Sequence, residues 1–295
     1  MEDLISIVIP AFNRAYCIGR TIESCLKQSY GNIEIIICDD SSTDDTLEII
    51  KSYALKDSRV KFVINNLGKG AQYARECAIK ISNGKYIAFM DSDDILTETS
   101  IEDRYRCFLE NDVDMVYGDI LVEDKENPLR VYFDNLNDLT IERRRKYLLE
   151  ELSLCAFITI MIKKELFDTG EIVLNKKLPA WQDDDLVLSV GFTSGKFYHC
   201  GKAVAMVCNT GDNISAHYDN KLKGLKILFE LYKDRIVNMS RSRVLLWKLR
   251  ILLDCFGVKM QTNYAKNRKF MAFFYRCSFF ALNNFLSLFF RHIYG

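Results

Sequence analysis

The sequence predicts an α/β fold, a mainly parallel sheet flanked by helices and followed by a helical tail. Three observations lead there. Short continuous apolar runs recur through the first hundred residues, helical periodicities fill the gaps, and each run stops at a cluster of polar, mostly acidic residues. Runs that are apolar on both faces suit parallel strands covered by helices. Their alternation with helices implies βαβ units joined by right-handed crossovers.

The first run, 5–9, ends at Pro10, the second, 33–38, at Asp39, the third, 60–64, at Asn65, and the fourth, 86–90, at Asp91. Between them, Ile18, Ile22, Cys25 and Leu26 share one helical face, Leu47, Ile50 and Ala54 a second, and Ala71, Ala74, Ala78 and Ile81 a third. Thr43, Asp44 and Asp45 supply an N-terminal cap for the second helix. Farther on the pattern predicts a helix over 97–110 preceded by Asp94, strands at 114–119, 157–162 and 197–208, and helices at 141–152 and from about Asp184. From Lys221 onward the pattern is helical, basic and rich in Leu, Phe and Tyr. The expected organisation is a domain over 1–220, with halves 1–95 and 96–220, and a tail over 221–295.

Apolar residues make up 49% and charged residues 27% of the chain, which excludes a disordered protein. The net charge of zero hides an asymmetry: from Lys233 to Gly295 there are 12 Lys or Arg against 2 Asp or Glu, so the tail carries about +10 and the rest about −10. The ten cysteines form no CxxC pair, which argues against a structural zinc site and for buried thiols in a reducing compartment. The acidic start and the lack of an uncharged apolar run of about 18 residues point to a cytoplasmic protein. In the tail, the aromatic run 270–290 is broken by Arg276, Asn283 and Asn284. It suits an amphipathic helix lying on an anionic membrane surface, at the inner face of the plasma membrane, or a surface that packs on the main domain or in a homo-oligomer. No nucleic-acid partner is expected.

In an open α/β sheet, ligands bind in the crevice outside the strand carboxyl ends. Asn13, Asp39, Asp40, Asn66 and the cluster from Asp91 to Asp94 all fall at such ends. Gathered carboxylates are unfavourable unless a cation or donor groups compensate. In Asp91-Ser92-Asp93-Asp94, two carboxylates spaced one residue apart can meet one hard divalent ion, Mn2+ or Mg2+, that keeps positions open for substrate phosphates. The plainer alternative is a solvated loop with helix-capping aspartates. A calcium-binding helix–loop–helix is disfavoured, because Leu96 stands where its glycine is needed. A second cluster, Gln182-Asp183-Asp184-Asp185, opens a helix and reads either as a cap favoured by the helix dipole or as a source of a general base. Histidines number three, which excludes a His-rich metal site; His199 sits in an apolar stretch and reads as structural.

Four motifs in register carry a family resemblance. Pro10-Ala11-Phe12-Asn13, then Asp39-Asp40-Ser41-Ser42-Thr43-Asp44-Asp45-Thr46, then Asn66-Leu67-Gly68-Lys69-Gly70 with Ala74-Arg75, then Asp91-Ser92-Asp93-Asp94 together resemble the family 2 glycosyltransferases with a GT-A fold. The likeness is specific over residues 4–95 and weaker to about 215. It implies that Pro10, Phe12 and Asn13 pack on the nucleotide base, Phe12 replacing the usual Tyr but keeping an aromatic face. It implies that Asp39 or Asp40, with Asp40 favoured, accepts the uracil N–H, and that Asn66 and Arg75 flank base and diphosphate. Asp91 and Ser92 would meet ribose or sugar, Asp93 the metal, and His217 the diphosphate or metal. The plain alternative for Arg75 is a helix-surface ion pair with Glu76 or Asp44. Gln182-Asp183 matches a Glu-Asp pair whose Asp deprotonates the acceptor, so Asp183 is the candidate base and Asp184 the alternative. The implied function is metal-dependent, inverting transfer of a sugar from a nucleotide donor, UDP, to a hydroxyl of a growing, lipid-linked glycan. A sugar nucleotidyltransferase would want a Gly-rich triphosphate cradle where residues 10–14 stand; a non-catalytic nucleotide- or glycan-binding scaffold stays open as the rival class.

Overall fold

The computed structural model describes residues 2–124, 127–150, 154–208 and 218–239. Its first half is the expected run of βαβ units. Strands β1 (Ile5–Ala11), β2 (Ile33–Asp39), β3 (Val60–Ile64) and β4 (Tyr86–Phe89) lie parallel in the order β3-β2-β1-β4. Helices α1 (Ile18–Leu26), α2 (Thr46–Lys56) and α3 (Ala71–Ile81) connect them. Ile18, Ile22 and Cys25 are buried on α1, Ile50 on α2, and Ala74 and Ala78 on α3, as their spacing predicts. The register sets Ala11 beside Asp39 and Asp39 beside Ile64, so the polar residues that follow each strand line one edge.

Two strands depart from their sequence patterns. β1 runs through Pro10 instead of stopping there. Its ladder with β4 ends at the Val8–Phe89 pair, so the missing N–H of Pro10 falls beyond that rung. β3 is an edge strand paired only with β2, and Lys61, Phe62 and Ile64 are exposed, contrary to the expected two-sided burial. An apolar run cannot reveal which strand will lack a neighbour.

The second half adds β5 (Ile95–Leu96), α4 (Ser100–Glu110), β6 (Met115–Val122), β7 (Leu129–Val131), α5 (Ile141–Glu150), β8 (Met161–Lys163), α6 (Glu165–Asp168), α7 (Gln182–Thr193) and β9 (Phe197–Val207). The sheet continues from β4 through β8, β6 and β9 to β5, and β7 pairs with β6. β6 and β9 are parallel, whereas the other pairings in this half are antiparallel, so the parallel run belongs to the first half. The helix expected from residue 97 starts at Ser100, because Ile95 and Leu96 are taken into a ladder with Met206 and Ala205. The expected strand 157–162 is a 3-10 turn over Phe157–Thr159 followed by β8. The fully buried Arg104 explains the turn: its guanidinium donates to the Thr159 carbonyl at 3.1 Å, taking a group that a ladder would otherwise need.

His199 is structural, as its setting suggests. Its Nδ1 accepts from the Gly201 N–H at 3.3 Å, which leaves Nε2 protonated and donating to Asp119 at 2.9 Å. Asp119 also pairs with Arg130 and accepts the Phe133 N–H. Asp119→Ala leaves the buried His199 donor unsatisfied and is expected to cost about 2 kcal/mol in urea unfolding; a loss below about 0.5 kcal/mol, the range of an ordinary surface change, contradicts that role.

The chain divides into two compact units, Met1–Lys176 with Gln182–Gly211, and Lys177–Trp181 with Asp212–Gly295. In the second, α8 (Tyr218–Met239) receives Trp181, whose Nε1 donates to the Lys221 carbonyl at 2.8 Å. A Cβ on Gly224 would stand 2.7 Å from the Ala180 carbonyl, so glycine is what permits this close approach despite its cost inside a helix. His217 and the basic aromatic tail beyond residue 239 lie outside the described residues. Among those described, no helix is long and apolar enough to cross a membrane.

Candidate functional site

The loops after β1 and β2 are laced together. Asn13 takes a left-handed backbone, φ +51°, its N–H donates to Ser42 Oγ at 2.9 Å, and its Oδ1 accepts the Thr43 N–H at 2.8 Å. The Ala15 N–H donates to Asp44, and the Arg14 N–H to Thr46 Oγ1. Asn13 is thereby committed to shaping the loop, while the Phe12 ring is half exposed.

The acidic pair after β2 divides into two roles. The Asp40 carboxylate accepts from Asn65 Nδ2 on one oxygen and from the Gly70 N–H, at 2.7 Å, on the other. It is the clasp of the loop that starts α3, where Gly70 holds φ +115°, a region that favours glycine. Asp39 is buried; one oxygen accepts the Ser42 N–H at 3.0 Å and the other, Oδ1, has no partner. A buried acceptor without a donor is unfavourable by itself, which leaves this oxygen able to take a donor from outside the protein. Asn66 is exposed, while its neighbour Asn65 is buried and holds the loop together by bonds to Asp40, Gly68 and Leu67.

Arg75 is the hub of the site and is not a surface ion pair with Glu76 or Asp44. It is buried, and one guanidinium nitrogen donates to Asp91 Oδ1 at 2.7 Å. The other donates to the side-chain oxygens of Gln72 and Gln182, each at 3.1 Å. Its plane lies over Phe157, 4.1 Å from the ring centroid. Glu76 points elsewhere and pairs with Lys80 and Lys176.

The fourth loop holds Asp91 partly exposed and Ser92 buried, with the Ser92 carbonyl accepting from Thr21 Oγ1 at 3.1 Å. Asp93 has Arg14 Nε at 3.6 Å from its carboxylate and receives Arg20 on its carbonyl at 2.9 Å. Asp94 does not start the next helix. It is buried before β5, accepts the Cys208 N–H at 2.9 Å, and is pushed up to about 8 by burial and by the charges of Asp91 and Asp93. Burial is the larger cause of that rise, and the neighbouring charges of Asp91 and Asp93 add to it. Among the described residues no three His, Cys, Asp or Glu side chains form a ready cage for an ion. The oxygen donors of this loop are the carboxylates of Asp91 and Asp93, the hard type of ligand that Mg2+ and Mn2+ take in ones and twos beside substrate phosphates.

Gln182 opens α7 two residues earlier than expected, and its bond to Arg75 ties the start of this helix to the donor-side loops. Asp183 is partly exposed; burial of its carboxyl, augmented by Asp91 and opposed by the Asp184 N–H bond and Arg75, holds its pKa above the usual carboxylate range. Asp184 is buried, and its N–H donates to Asp183 at 3.1 Å. Of the two residues, Asp183 is the less buried. The sequence reading missed Arg14, Asn65, Gln72 and Phe157. Arg14 had a signal, a cation directly after Asn13; Phe157 had none, since it reaches Arg75 only through the fold.

Loops laced along one sheet edge, a buried arginine bridging Asp91 to the start of α7 and a carboxyl raised by burial at that start mark the strand-end edge as the candidate site. The family model "Glycosyl transferase family 2" matches residues 6–170, more than half of the chain, and the protein belongs to that family. It is 49% identical over 121 residues to the Escherichia coli enzyme named UDP-Glc:alpha-D-GlcNAc-diphosphoundecaprenol beta-1,3-glucosyltransferase WfaP, over 41% of this chain and 47% of that protein. The chain thus spans about half the length of this relative and of a second Escherichia coli glucosyltransferase. The fold is similar to that of S. aureus TarS 1-349 in complex with UDP-GlcNAc, with TM-score 0.62 and 17% identity, covering 94% of this chain and 81% of that one. It is also similar to the mannosyltransferase PcManGT of Pyrobaculum calidifontis in complex with GDP-Man and Mn2+, with TM-score 0.59 and 11% identity, covering 100% and 88%.

Proposed function

We propose that the protein is an inverting glycosyltransferase that moves a sugar from a UDP donor to a hydroxyl of a lipid-linked glycan, with a divalent metal at Asp93. The observation that carries this reading is the Arg75 bridge, which joins Asp91 on the donor loop to Gln182 beside Asp183. Uracil stacks on Phe12, with Pro10 and Asn13 shaping the turn beneath it. Its N–H meets the unpartnered Oδ1 of Asp39. This replaces Asp40, whose oxygens are taken, as the base-reading carboxylate. Arg75 supports the diphosphate and Asp91 faces ribose or sugar, while the buried Ser92 holds the loop through its carbonyl instead of meeting the ligand as the resemblance implies. Asp93 would hold a divalent metal, which when bound would supply charge neutralisation at the leaving diphosphate. Asp183 takes the proton of the acceptor hydroxyl as its oxygen bonds to the anomeric carbon. The bond from that carbon to the diphosphate breaks, and UDP leaves. The names of the relatives support a UDP-sugar donor and a diphosphoundecaprenol-linked acceptor.

The test is a donor panel of UDP-Glc, UDP-GlcNAc, UDP-Gal and GDP-Man with GlcNAc-diphosphoundecaprenol, with Mn2+ or with EDTA. UDP release that needs acceptor and metal is the expected outcome. Release only from GDP-Man, or binding of every donor without turnover, overturns the reading. A lipid-linked acceptor also favours holding the domain at an anionic membrane surface through the basic tail. Full-length protein is expected to float with anionic liposomes while a chain ending at Met239 does not; equal flotation removes the membrane role and leaves the tail to oligomer contacts.

A further inference from the structure

Nothing in the transfer chemistry requires the 3-10 turn at Phe157–Thr159, yet side-chain and backbone bonds hold it on both sides. Arg104, fully buried, holds it by the 3.1 Å bond to the Thr159 carbonyl, and is itself fixed to Ser100 through its backbone oxygen at 3.1 Å and its hydroxyl at 2.8 Å. Thr159 Oγ1 closes the turn on the Ala156 carbonyl at 2.8 Å. The Phe89 N–H donates to Ile160 at 3.1 Å, and the Phe89 ring meets Phe157 edge-on, with centroids 5.0 Å apart. Phe157 is thus buried between a strand of the sheet and the guanidinium of Arg75, whose carbon lies 4.1 Å from the ring centroid.

Arg75 has one charged partner, Asp91, and two neutral ones, Gln72 and Gln182, while its Nε is buried with no hydrogen-bond partner. Hydrogen bonds alone therefore leave part of this buried cation uncompensated. The negative face of an aromatic ring offers compensation that costs no counter-charge, and the effect is larger where water is excluded. A second carboxylate in the same place would add to the Asp91 charge that already meets the guanidinium and weaken its pull on a diphosphate further. Two neutral amides and a ring instead fix its direction without a further counter-charge.

The geometry points to Phe157 as the positioning residue of the donor site: its ring, fixed through the turn that Arg104 anchors, sets the plane of Arg75 so that this one cation faces the nucleotide diphosphate while it bridges the loop at Asp91 to the start of α7. The inference rests on the reading of Arg75 as a diphosphate ligand. It assigns specificity for a pyrophosphate-bearing donor to a residue that never touches that donor.

The test keeps the volume of the ring and changes its face. Phenylalanine at position 157 is replaced in the full-length protein by mono-, di- and trifluorinated phenylalanine, and the Kd for UDP with Mn2+ is measured by calorimetry together with Tm. Each added fluorine weakens the face of the ring, so the Kd is expected to rise stepwise, by about tenfold in all, while Tm stays constant. Phe157→Leu is expected to give a rise at least as large. A flat series, or a Kd that moves only with Tm, overturns the proposal. Arg75→Ala is run beside it. If this variant binds UDP as tightly as the parent, the reading of Arg75 itself fails, and the platform with it. If it binds weakly while the fluorinated series is flat, only the role of Phe157 is lost.

Discussion

Asp183→Asn is expected to lower the rate of transfer by about 10^3-fold, within the range that general-base catalysis contributes, while UDP affinity stays within about twofold. Asparagine keeps the shape and the acceptance of the Asp184 N–H but cannot take a proton. The environment favours Asp183 for the task. Burial lifts its pKa, the Asp91 charge adds to the rise, and Arg75 opposes it. The sign of the pH dependence follows. The base works only when deprotonated, so the rate falls as pH drops through this raised pKa, and the acid limb lies nearer neutrality than an ordinary carboxylate would place it. Asp91→Asn removes a charge that raises the pKa and is expected to shift that limb to lower pH. Asp184→Asn is the control. A loss there as large as in Asp183→Asn, with Asp183→Asn active, moves the base by one residue.

Asp93→Ala is expected to abolish the stimulation of UDP release by Mn2+ and to lower turnover by about 10^3-fold, the several kcal/mol a metal supplies at a leaving diphosphate. Arg14 gives this prediction a second arm. Its Nε lies 3.6 Å from the Asp93 carboxylate, so its charge competes with a cation for that carboxylate. Removing it by Arg14→Met is expected to tighten Mn2+ binding measured by electron paramagnetic resonance without nucleotide, while Asp93→Ala loses that binding. Mn2+-stimulated turnover that persists in Asp93→Ala within about tenfold of the parent contradicts metal binding at this carboxylate, since each tenfold is about 1.4 kcal/mol.

The residues that were legible from sequence share one property: local spacing determines their place. The runs at β1, β2 and β4 and the faces of α1 to α3 follow from periodicity, and the strand-end loops follow from where those runs stop. Side chains whose role depends on a distant partner were less legible. Asn65 and Asn66 are equivalent on paper, and only the reach of Asp40, 25 residues earlier, selects Asn65. Asp39 and Asp40 likewise differ through what Gly70 and Asn65 consume. Asp94 reads as a helix cap until β9 arrives and donates the Cys208 N–H to it, from 114 residues away. Phe157 reads as part of a strand because no local signal announces Arg104. The edge position of β3 depends on strand order, which an apolar run does not encode.

The central claim is that the strand-end edge of the sheet holds a UDP-sugar with its diphosphate at Arg75 and its reacting carbon facing Asp183. A crystal structure of the full-length protein with UDP and Mn2+ tests it most directly. The expected result is uracil against Phe12 with its N–H on Asp39 Oδ1, the diphosphate within reach of Arg75, and the ion on Asp93. UDP bound at another edge of the sheet, or bound here with Asp39 Oδ1 still unpartnered and Arg75 remote from the phosphates, contradicts it.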